Sequence, residues 1–145
     1  MFRVTKELLF CFGHRLMHYR GKCRQLHGHN ARAVVTVAGE ELDDLGMVTD
    51  FSAMRKHIGD WIDRTLDHKM ILHKDDPLVP LLRAEGDPVL AIDEHPTTEN
   101  LAKLIFDYVD AEGYDVVEVT LWETPSSYAT YSRADVAAQL DLAKV

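Results

Sequence analysis

The sequence has few cysteines and no long hydrophobic run, and each absence excludes a class of protein. Among its 145 residues are two cysteines, Cys11 and Cys23, which are too few for a disulfide framework. No stretch approaches the roughly 20 consecutive apolar residues that a membrane-spanning helix needs. The first residues carry Glu7 within an apolar pattern and lack the cleavage site of a signal peptide. We therefore expect a cytoplasmic protein with reduced thiols.

The chain is also poor in positive charge. Its 16 lysines and arginines stand against 24 aspartates and glutamates, for a net charge of −8. A broad surface for nucleic acid or anionic membrane is therefore not expected. The exception is a basic cluster that is either a local anion site or a solvated loop, and it consists of Arg15, His18, Arg20, Lys22 and Arg24.

Length and patterning predict one α+β domain that spans residues 1–145. Apolar residues make up 46% of the chain, which is enough for a packed core. Alternation predicts four strands, at residues 2–12, 27–39, 116–123 and 128–132. Helical periodicity predicts helices that begin at Asp50 or Ser52 and at Thr97 or Thr98, with a short helical turn at 78–84. The order favours an antiparallel sheet with two helices on one face, whose exposed edges predict a homo-oligomer.

Three histidines share the apolar side of the first two predicted strands. His27 and His29 are two residues apart, so their side chains project side by side, and His14 continues the parity of the first strand. Three nitrogen ligands with a fourth position left open are typical of catalytic zinc. The alternative is that these are hydrogen-bonded histidines of the core or surface.

Two further segments carry candidate chemistry. Cys23 is separated from His27 by three residues, and it is a candidate base or nucleophile, a fourth zinc ligand or an inert thiol. Asp67 and His68 follow the first predicted helix, either as a general acid–base pair or as simple capping residues.

Glu123 lies on the apolar parity of the third predicted strand, with Val117, Val119 and Leu121. A carboxylate there is costly unless it is paired. A ligand edge with two parallel N–H donors would satisfy it with two hydrogen bonds. The alternatives are a salt bridge to an arginine and a strand end that already lies in water.

Six stretches occur together in one order, and together they resemble the 6-pyruvoyl-tetrahydropterin synthase family, which includes the bacterial 6-carboxytetrahydropterin synthases. They are F-C-F-G-H-R-L at 10–16, C-R-Q-L-H-G-H-N at 23–30, G-M-V-T-D-F at 46–51, L-D-H at 66–68, P-T-T-E-N-L-A at 96–102 and W-E-T-P at 122–125. The resemblance implies a T-fold, in which a four-stranded antiparallel sheet with two helices assembles into an oligomeric barrel.

The resemblance also implies the site. The implied zinc ligands are His14, His27 and His29. The implied catalytic residues are Cys23 as base, His68 as proton relay with Asp67 as its partner, and Glu123 as anchor of the pterin ring, which Thr97 and Thr98 also contact. In the family the Asp–His pair comes from an adjacent subunit, so active sites are expected at subunit interfaces of a hexamer or similar oligomer.

The implied enzyme is a zinc-dependent lyase of queuosine biosynthesis. It would convert 7,8-dihydroneopterin triphosphate to 6-carboxytetrahydropterin, acetaldehyde and triphosphate. The short spacer between Cys23 and His27 resembles this carboxy branch. The alternatives are a pyruvoyl synthase that stops after triphosphate elimination and a non-catalytic zinc- or pterin-binding protein. The segment from Lys74 to Glu94 is longer than in compact bacterial members, and we expect it at the active site or a subunit contact.

Overall fold

The computed structural model of the chain describes residues 1–135 and 138. The strands are β1 (Phe2–His14), β2 (His27–Gly39), β3 (Lys69–His73), β4 (Val89–Ile92), β5 (Val116–Thr124) and β6 (Ser127–Ser132). The helices are α1 (Phe51–Met54), α2 (Asp60–Thr65), α3 (Leu78–Ala84) and α4 (Thr98–Ala111). A π-helical turn, Arg55–Gly59, joins α1 and α2 into one continuous helix, and a 3-10 turn spans Lys22–Arg24.

One mixed sheet carries the architecture, with the strand order β4-β3-β1-β2-β5-β6. The four predicted strands correspond to β1, β2, β5 and β6, and each pairs antiparallel with its neighbour. The predicted α+β class and antiparallel sheet are confirmed, but the predicted number of four strands is wrong. β3 and β4 extend the sheet as parallel strands beside the end of β1.

The two extra strands escaped prediction because neither alternates in polarity. In β3 the adjacent residues Ile71 and Leu72 are both fully buried, and all four residues of β4 are half-buried. Alternation of apolar and polar residues arises when one face of a strand is exposed to solvent, and neither of these short strands has such a face.

Both main helices begin at predicted capping residues. The Asp50 carboxylate accepts a hydrogen bond from the Ser52 N–H at 2.6 Å. The Thr97 hydroxyl accepts one from the Asn100 N–H at 3.2 Å and so caps α4. Side-chain oxygens at these positions satisfy backbone donors that the first helical turn leaves unpaired.

The helices cover one face of the sheet. The buried side chains of this core include residues from the strands (Leu8, Phe10, Phe12, Ala31, Ala33, Val35, Val37, Ile71, Val116, Val119, Leu121) and from the helices and their ends (Met54, Ile58, Ile62, Leu66, Leu101, Ala102, Ile105, Phe106, Val109). The predicted face is wrong at Val117, which packs with Ala38 in a separate buried cluster while Val116 joins the main core. A register shift between Thr36 and Val37 explains this, because one extra residue reverses the alternation of side chains.

The segment from Lys74 to Glu94 folds back onto the strand that carries His14. It contains α3 and β4. Arg15 donates two hydrogen bonds to the buried Asp76, from Nε to Oδ2 at 2.7 Å and from Nη2 to Oδ1 at 2.6 Å. Burial opposes ionisation of Asp76, but the hydrogen bonds from Arg15 and from the Leu78 N–H hold its pKa below the usual value. This ion pair therefore fixes the segment next to the three histidines.

Within the described residues, no helix combines the length and the apolar character that crossing a membrane requires.

Candidate metal centre and proton-transfer pair

The long β1–β2 ladder brings the three predicted histidines together. His14 pairs with His27, and Phe12 pairs with His29 in the same antiparallel register. The ring centroid of His14 lies 4.5 Å from that of His27 and 5.1 Å from that of His29. The centroids of His27 and His29 are 5.0 Å apart. One ligand nitrogen from each ring lies within 4.8 Å of the others, which makes this group a candidate metal centre.

Backbone carbonyls fix the orientation of two of these rings. The Nδ1–H of His14 donates to the Pro96 carbonyl at 2.8 Å, and that of His27 donates to the Gln25 carbonyl at 2.7 Å. Each bond leaves Nε2 as the ring nitrogen that is free to bind a metal, which is the usual outer-sphere arrangement of metal-bound histidine.

Two buried nitrogens in this cluster have no hydrogen-bond partner. They are Nε2 of His14 and Nε2 of His29. The His29 nitrogen lies 3.3 Å from Glu123 Oε1, without the alignment of a hydrogen bond. An unpaired polar atom in a protein interior is costly. A metal ion bound by the three imidazoles would satisfy these nitrogens, so the residues fit a metal ion.

Burial also favours the neutral form that binds metal. It lowers the pKa of His14, which is 4% exposed, and the nearby His27 and His29 rings lower it further. The hydrogen bond to Pro96 and the charge of Glu123 act in the opposite direction and raise this pKa. Burial likewise lowers the pKa of His29, and the charge of Glu123 opposes this. Neutral imidazole is the form in which histidine coordinates a metal.

Glu123 lies at an irregularity in the sheet beside the histidines. The β5–β6 pairing shifts register between Trp122 and Thr124, so Glu123 is the extra residue of a bulge. One carboxylate oxygen faces His29, and the other accepts a hydrogen bond from the Thr98 hydroxyl. Bulges re-aim side chains near functional sites. Of the two predicted threonines, Thr98 therefore contacts Glu123, whereas Thr97 caps α4.

Asp67 and His68 contact each other at the end of the helix. The His68 Nδ1–H donates to Asp67 Oδ2 at 2.8 Å, and the Cys11 N–H donates to Asp67 Oδ1 at 2.9 Å. These hydrogen bonds outweigh burial and lower the pKa of Asp67. His68 has a φ of 56°, in the left-handed region, where backbone strain is commonly associated with function. Its side chain is 78% exposed.

Cys11 is a site residue that the sequence reasoning missed. Its Sγ lies 3.5 Å from Nδ1 and 3.6 Å from Nε2 of His68, and its carbonyl accepts the His68 N–H at 2.7 Å. A signal was present, because Cys11 lies between Phe10 and Phe12 and therefore projects from the opposite face of β1. What no local pattern reveals is that a residue 57 positions later in the chain lies beside it.

The predicted base, Cys23, lies in the 3-10 turn before β2 and is half-buried. Its carbonyl accepts the Leu16 N–H at 2.8 Å. Within one chain the thiol that contacts His68 belongs to Cys11, so the predicted pairing of Cys23 with His68 stays a prediction about an assembly. The predicted basic cluster loses Arg15 to Asp76, whereas His18, Arg20, Lys22 and Arg24 are exposed.

A cavity of about 600 Å³ connects the two groups of residues. Its walls include His27 and His29 on one side and Cys11 and His68 on the other. Leu82, Asp87 and Pro88 also line it, so the Lys74 to Glu94 segment forms part of the wall. A cavity of this size accommodates a small-molecule ligand.

Known proteins resemble this chain in both sequence and structure. The model of the 6-pyruvoyl tetrahydropterin synthase family matches residues 3–134. The chain is 30% identical over 135 residues to the 6-carboxy-5,6,7,8-tetrahydropterin synthase of Rickettsia bellii, a match that covers 88% of this chain and 98% of the relative. It is 37% identical over 119 residues to a probable 6-carboxy-5,6,7,8-tetrahydropterin synthase of Halobacterium salinarum, which covers 79% and 75% of the two chains. The structure of Caenorhabditis elegans 6-pyruvoyl tetrahydropterin synthase aligns with a TM-score of 0.65 at 27% identity, over 92% of this chain and 98% of that one.

Proposed function

The chain belongs to the 6-pyruvoyl tetrahydropterin synthase family and has its T-fold, and we propose that it is a 6-carboxytetrahydropterin synthase. Curated relatives from Rickettsia bellii and Haemophilus influenzae bear that name at 30% and 29% identity. The proposed substrate is 7,8-dihydroneopterin triphosphate. The proposed products are 6-carboxytetrahydropterin, acetaldehyde and triphosphate, with one water consumed when the carbon–carbon bond breaks.

The proposed cofactor is zinc held by His14, His27 and His29. Three neutral imidazoles are a ligand set that zinc accepts, and they leave a position for substrate oxygen. When bound, the ion would act as a Lewis acid that polarises the hydroxyl groups of the substrate side chain. The unpaired Nε2 atoms of His14 and His29 support this assignment.

Proton transfer is proposed for Cys23, His68 and Asp67. Asp67 accepts the Nδ1–H of His68, which leaves Nε2 as the basic nitrogen. In the proposed assembly this pair serves Cys23 of an adjacent copy, so that the thiolate and the imidazole move protons along the substrate side chain. The large exposure of His68 in the single chain is consistent with a surface that a second copy covers.

Glu123 is the proposed anchor for the pterin ring. Its carboxylate would accept the two parallel N–H groups of the 2-amino-4-oxo edge. The Thr98 hydroxyl holds one carboxylate oxygen and thereby fixes the plane of the pair. Thr97 is also proposed to contact the ring, and its role as the N-cap of α4 fixes its position at the start of that helix.

The free strand edges support a homo-oligomer. β3 pairs with β1 at residues 12–14, and the backbone of Cys11 bonds to Asp67 and His68, which leaves the outer edge of β1 before Cys11 open. β6 forms the other end of the described sheet. Three successive antiparallel pairings make β1 and β6 run in opposite directions, so β6 of one copy can continue the sheet beside β1 of the next. Leu9, on that edge, is 75% exposed. Light scattering should give a multiple of 16.5 kDa, and a mass of one chain would contradict the assembly.

The observation that carries the proposal is the cluster of three histidines with unpaired nitrogens beside Glu123, in a chain with carboxytetrahydropterin synthases among its relatives. The test is to incubate the zinc-loaded protein with 7,8-dihydroneopterin triphosphate and identify products by mass spectrometry. We expect carboxytetrahydropterin and acetaldehyde. A pyruvoyl product would assign the chain to the sister branch, and unchanged substrate would contradict both enzyme functions.

Two controls accompany the product assay. Protein stripped of metal by a chelator should form no product and should recover activity when zinc is returned. Cys23→Ala should retain zinc and lose turnover by about a hundredfold or more, because it removes a proton-transfer group without touching the histidines. Loss of zinc in this variant would instead make Cys23 a metal ligand.

A further inference from the structure

We propose that Phe12 is a positioning residue of the metal centre, whose ring holds His29 and His14 in the arrangement that binds the ion. This inference rests on the proposed zinc site and gives a role to a side chain that is not one of its ligands. Phe12 is 3% exposed and belongs to the main core. Its place beside the histidines follows from the strand register.

The β1–β2 ladder sets Phe12 at the fourth corner of a block of rings. Phe12 pairs with His29, and His14 pairs with His27. Residues two apart on a strand project to the same face, so the four rings form a two-by-two block. The centroid of Phe12 lies 5.0 Å from that of His14 and 5.8 Å from that of His29. These are the two histidines whose Nε2 atoms are buried without partners.

His29 differs from the other two histidines in what orients its ring. The Nδ1–H groups of His14 and His27 donate to backbone carbonyls. In the part of the chain that the structure describes, the His29 ring makes no hydrogen bond, and its contact with Glu123 at 3.3 Å lacks the alignment of one. A metal-bound histidine is usually oriented by such a bond. The orientation of His29 must therefore come from packing.

Phe12 is suited to supply that packing because it is itself held in place. Its ring lies 5.7 Å from that of Phe10, and both rings are buried in the core. The plane of Phe12 makes angles of 79° with His14 and 50° with His29, which are inclined contacts of the kind that aromatic rings prefer. A rigid ring on this side restricts rotation of both imidazoles. Ligands that are already ordered lose less side-chain entropy when the ion binds.

The experiment compares Phe12→Leu with a matched variant, Phe10→Leu. Both replace a buried ring of the same strand face by a smaller apolar side chain, so both should lower the Tm. Among the described residues, the ring of Phe10 contacts Phe12 and no histidine. Competition with a chromophoric chelator gives the Kd of the folded protein for zinc. We expect Phe12→Leu to raise this Kd by about tenfold and Phe10→Leu to leave it nearly unchanged.

Cobalt provides a spectroscopic test of the same difference. The visible absorption bands of the cobalt-loaded protein report the geometry of the ligands, and we expect them to shift in Phe12→Leu but not in Phe10→Leu. An unchanged zinc Kd in Phe12→Leu would overturn the proposal. An equal rise in both variants would also overturn it, because that result would reflect a general loosening of the core. Phe12→Met, whose flexible side chain fills more irregular space, replaces Phe12→Leu if the latter does not fold.

A measurement on the metal-free protein separates this inference from the proposed cofactor. Nitrogen NMR of the imidazole rings should show sharp signals for His29 in the unaltered protein and in Phe10→Leu, and broadened signals in Phe12→Leu. An unaltered protein that takes up no zinc would contradict the proposed cofactor. The positioning role would then be decided by the NMR signals alone, and identical His29 signals in all three proteins would refute it.

Discussion

The three-histidine cluster and the Cys11–Asp67–His68 cluster border one cavity, but they differ in burial and in whether their polar atoms have hydrogen-bond partners. His14 is 4% exposed, and two of the cluster's ring nitrogens are buried without partners. The side chain of His68 is 78% exposed, and it is bonded to its neighbour Asp67. Buried, unpaired nitrogens fit a metal ion, which would satisfy them. An exposed pair that is already hydrogen-bonded is suited to moving protons.

The sharpest test of this contrast is to remove one histidine of the buried cluster. His29→Ala should lose zinc, as measured by elemental mass spectrometry, with affinity reduced about a hundredfold or more. Turnover should fall by about a thousandfold or more because the Lewis acid is lost. His57→Ala is the control and should keep its metal. Retention of one zinc per chain by His29→Ala would show that His29 is not a zinc ligand.

The second test removes the orienting carboxylate of the exposed pair. Asp67→Asn should lower kcat by about a hundredfold, because the amide no longer selects the productive tautomer of His68. Its zinc content should equal that of the unaltered protein. Steady-state kinetics and metal analysis on one preparation check the lower kcat and the unchanged zinc content. Loss of metal together with activity would erase the distinction between the two clusters.

The third test addresses the carboxylate that faces the histidine cluster. Glu123→Gln should raise the Kd for a pterin by about ten- to a hundredfold, since the amide offers one acceptor oxygen in place of two. Glu118→Gln, on the same strand, is the matched control and should bind normally. Calorimetric titration of the metal-loaded protein with a pterin measures both. Unaltered affinity in Glu123→Gln would refute the anchoring role.

The smallest expected effect is on the stability of the metal-free protein. The pKa values of His14 and His29 lie below the ordinary value of 6.5, so between those lowered values and 6.5 the unfolded chain binds more protons. Stability should therefore rise with pH through this window and be lost as the pH falls through it. Thermal unfolding should show a Tm lower at pH 5.5 than at pH 7.5, by on the order of a few degrees.

His14→Gln should reduce the slope of that dependence, because it removes one of the two titrating rings. Asp67 and Asp76 do not interfere, since their lowered pKa values fall below 3.8, outside the window. An identical slope in the variant and the unaltered protein would show that burial of these rings does not control the effect.

Most of the antiparallel fold was predictable because its signals are local. The alternation in β1 and β2 and the capping oxygens of Asp50 and Thr97 each act within a few residues. β3 and β4 were not predictable, since strands without a wet face show no period-2 pattern. Val117 was misplaced for a related reason, because a register shift depends on the partner strand.

The sequence by itself determined that His14, His27 and His29 project to one side, because strand parity is a property of the local backbone. It also determined the family, through motifs spread along the chain. Tertiary structure alone decided which groups support those histidines, such as the Pro96 carbonyl 82 residues from His14. It alone placed Cys11 against His68 and paired Arg15, a member of the predicted basic cluster, with Asp76. These contacts join residues far apart in the chain, and their energies depend on packing that no local pattern contains.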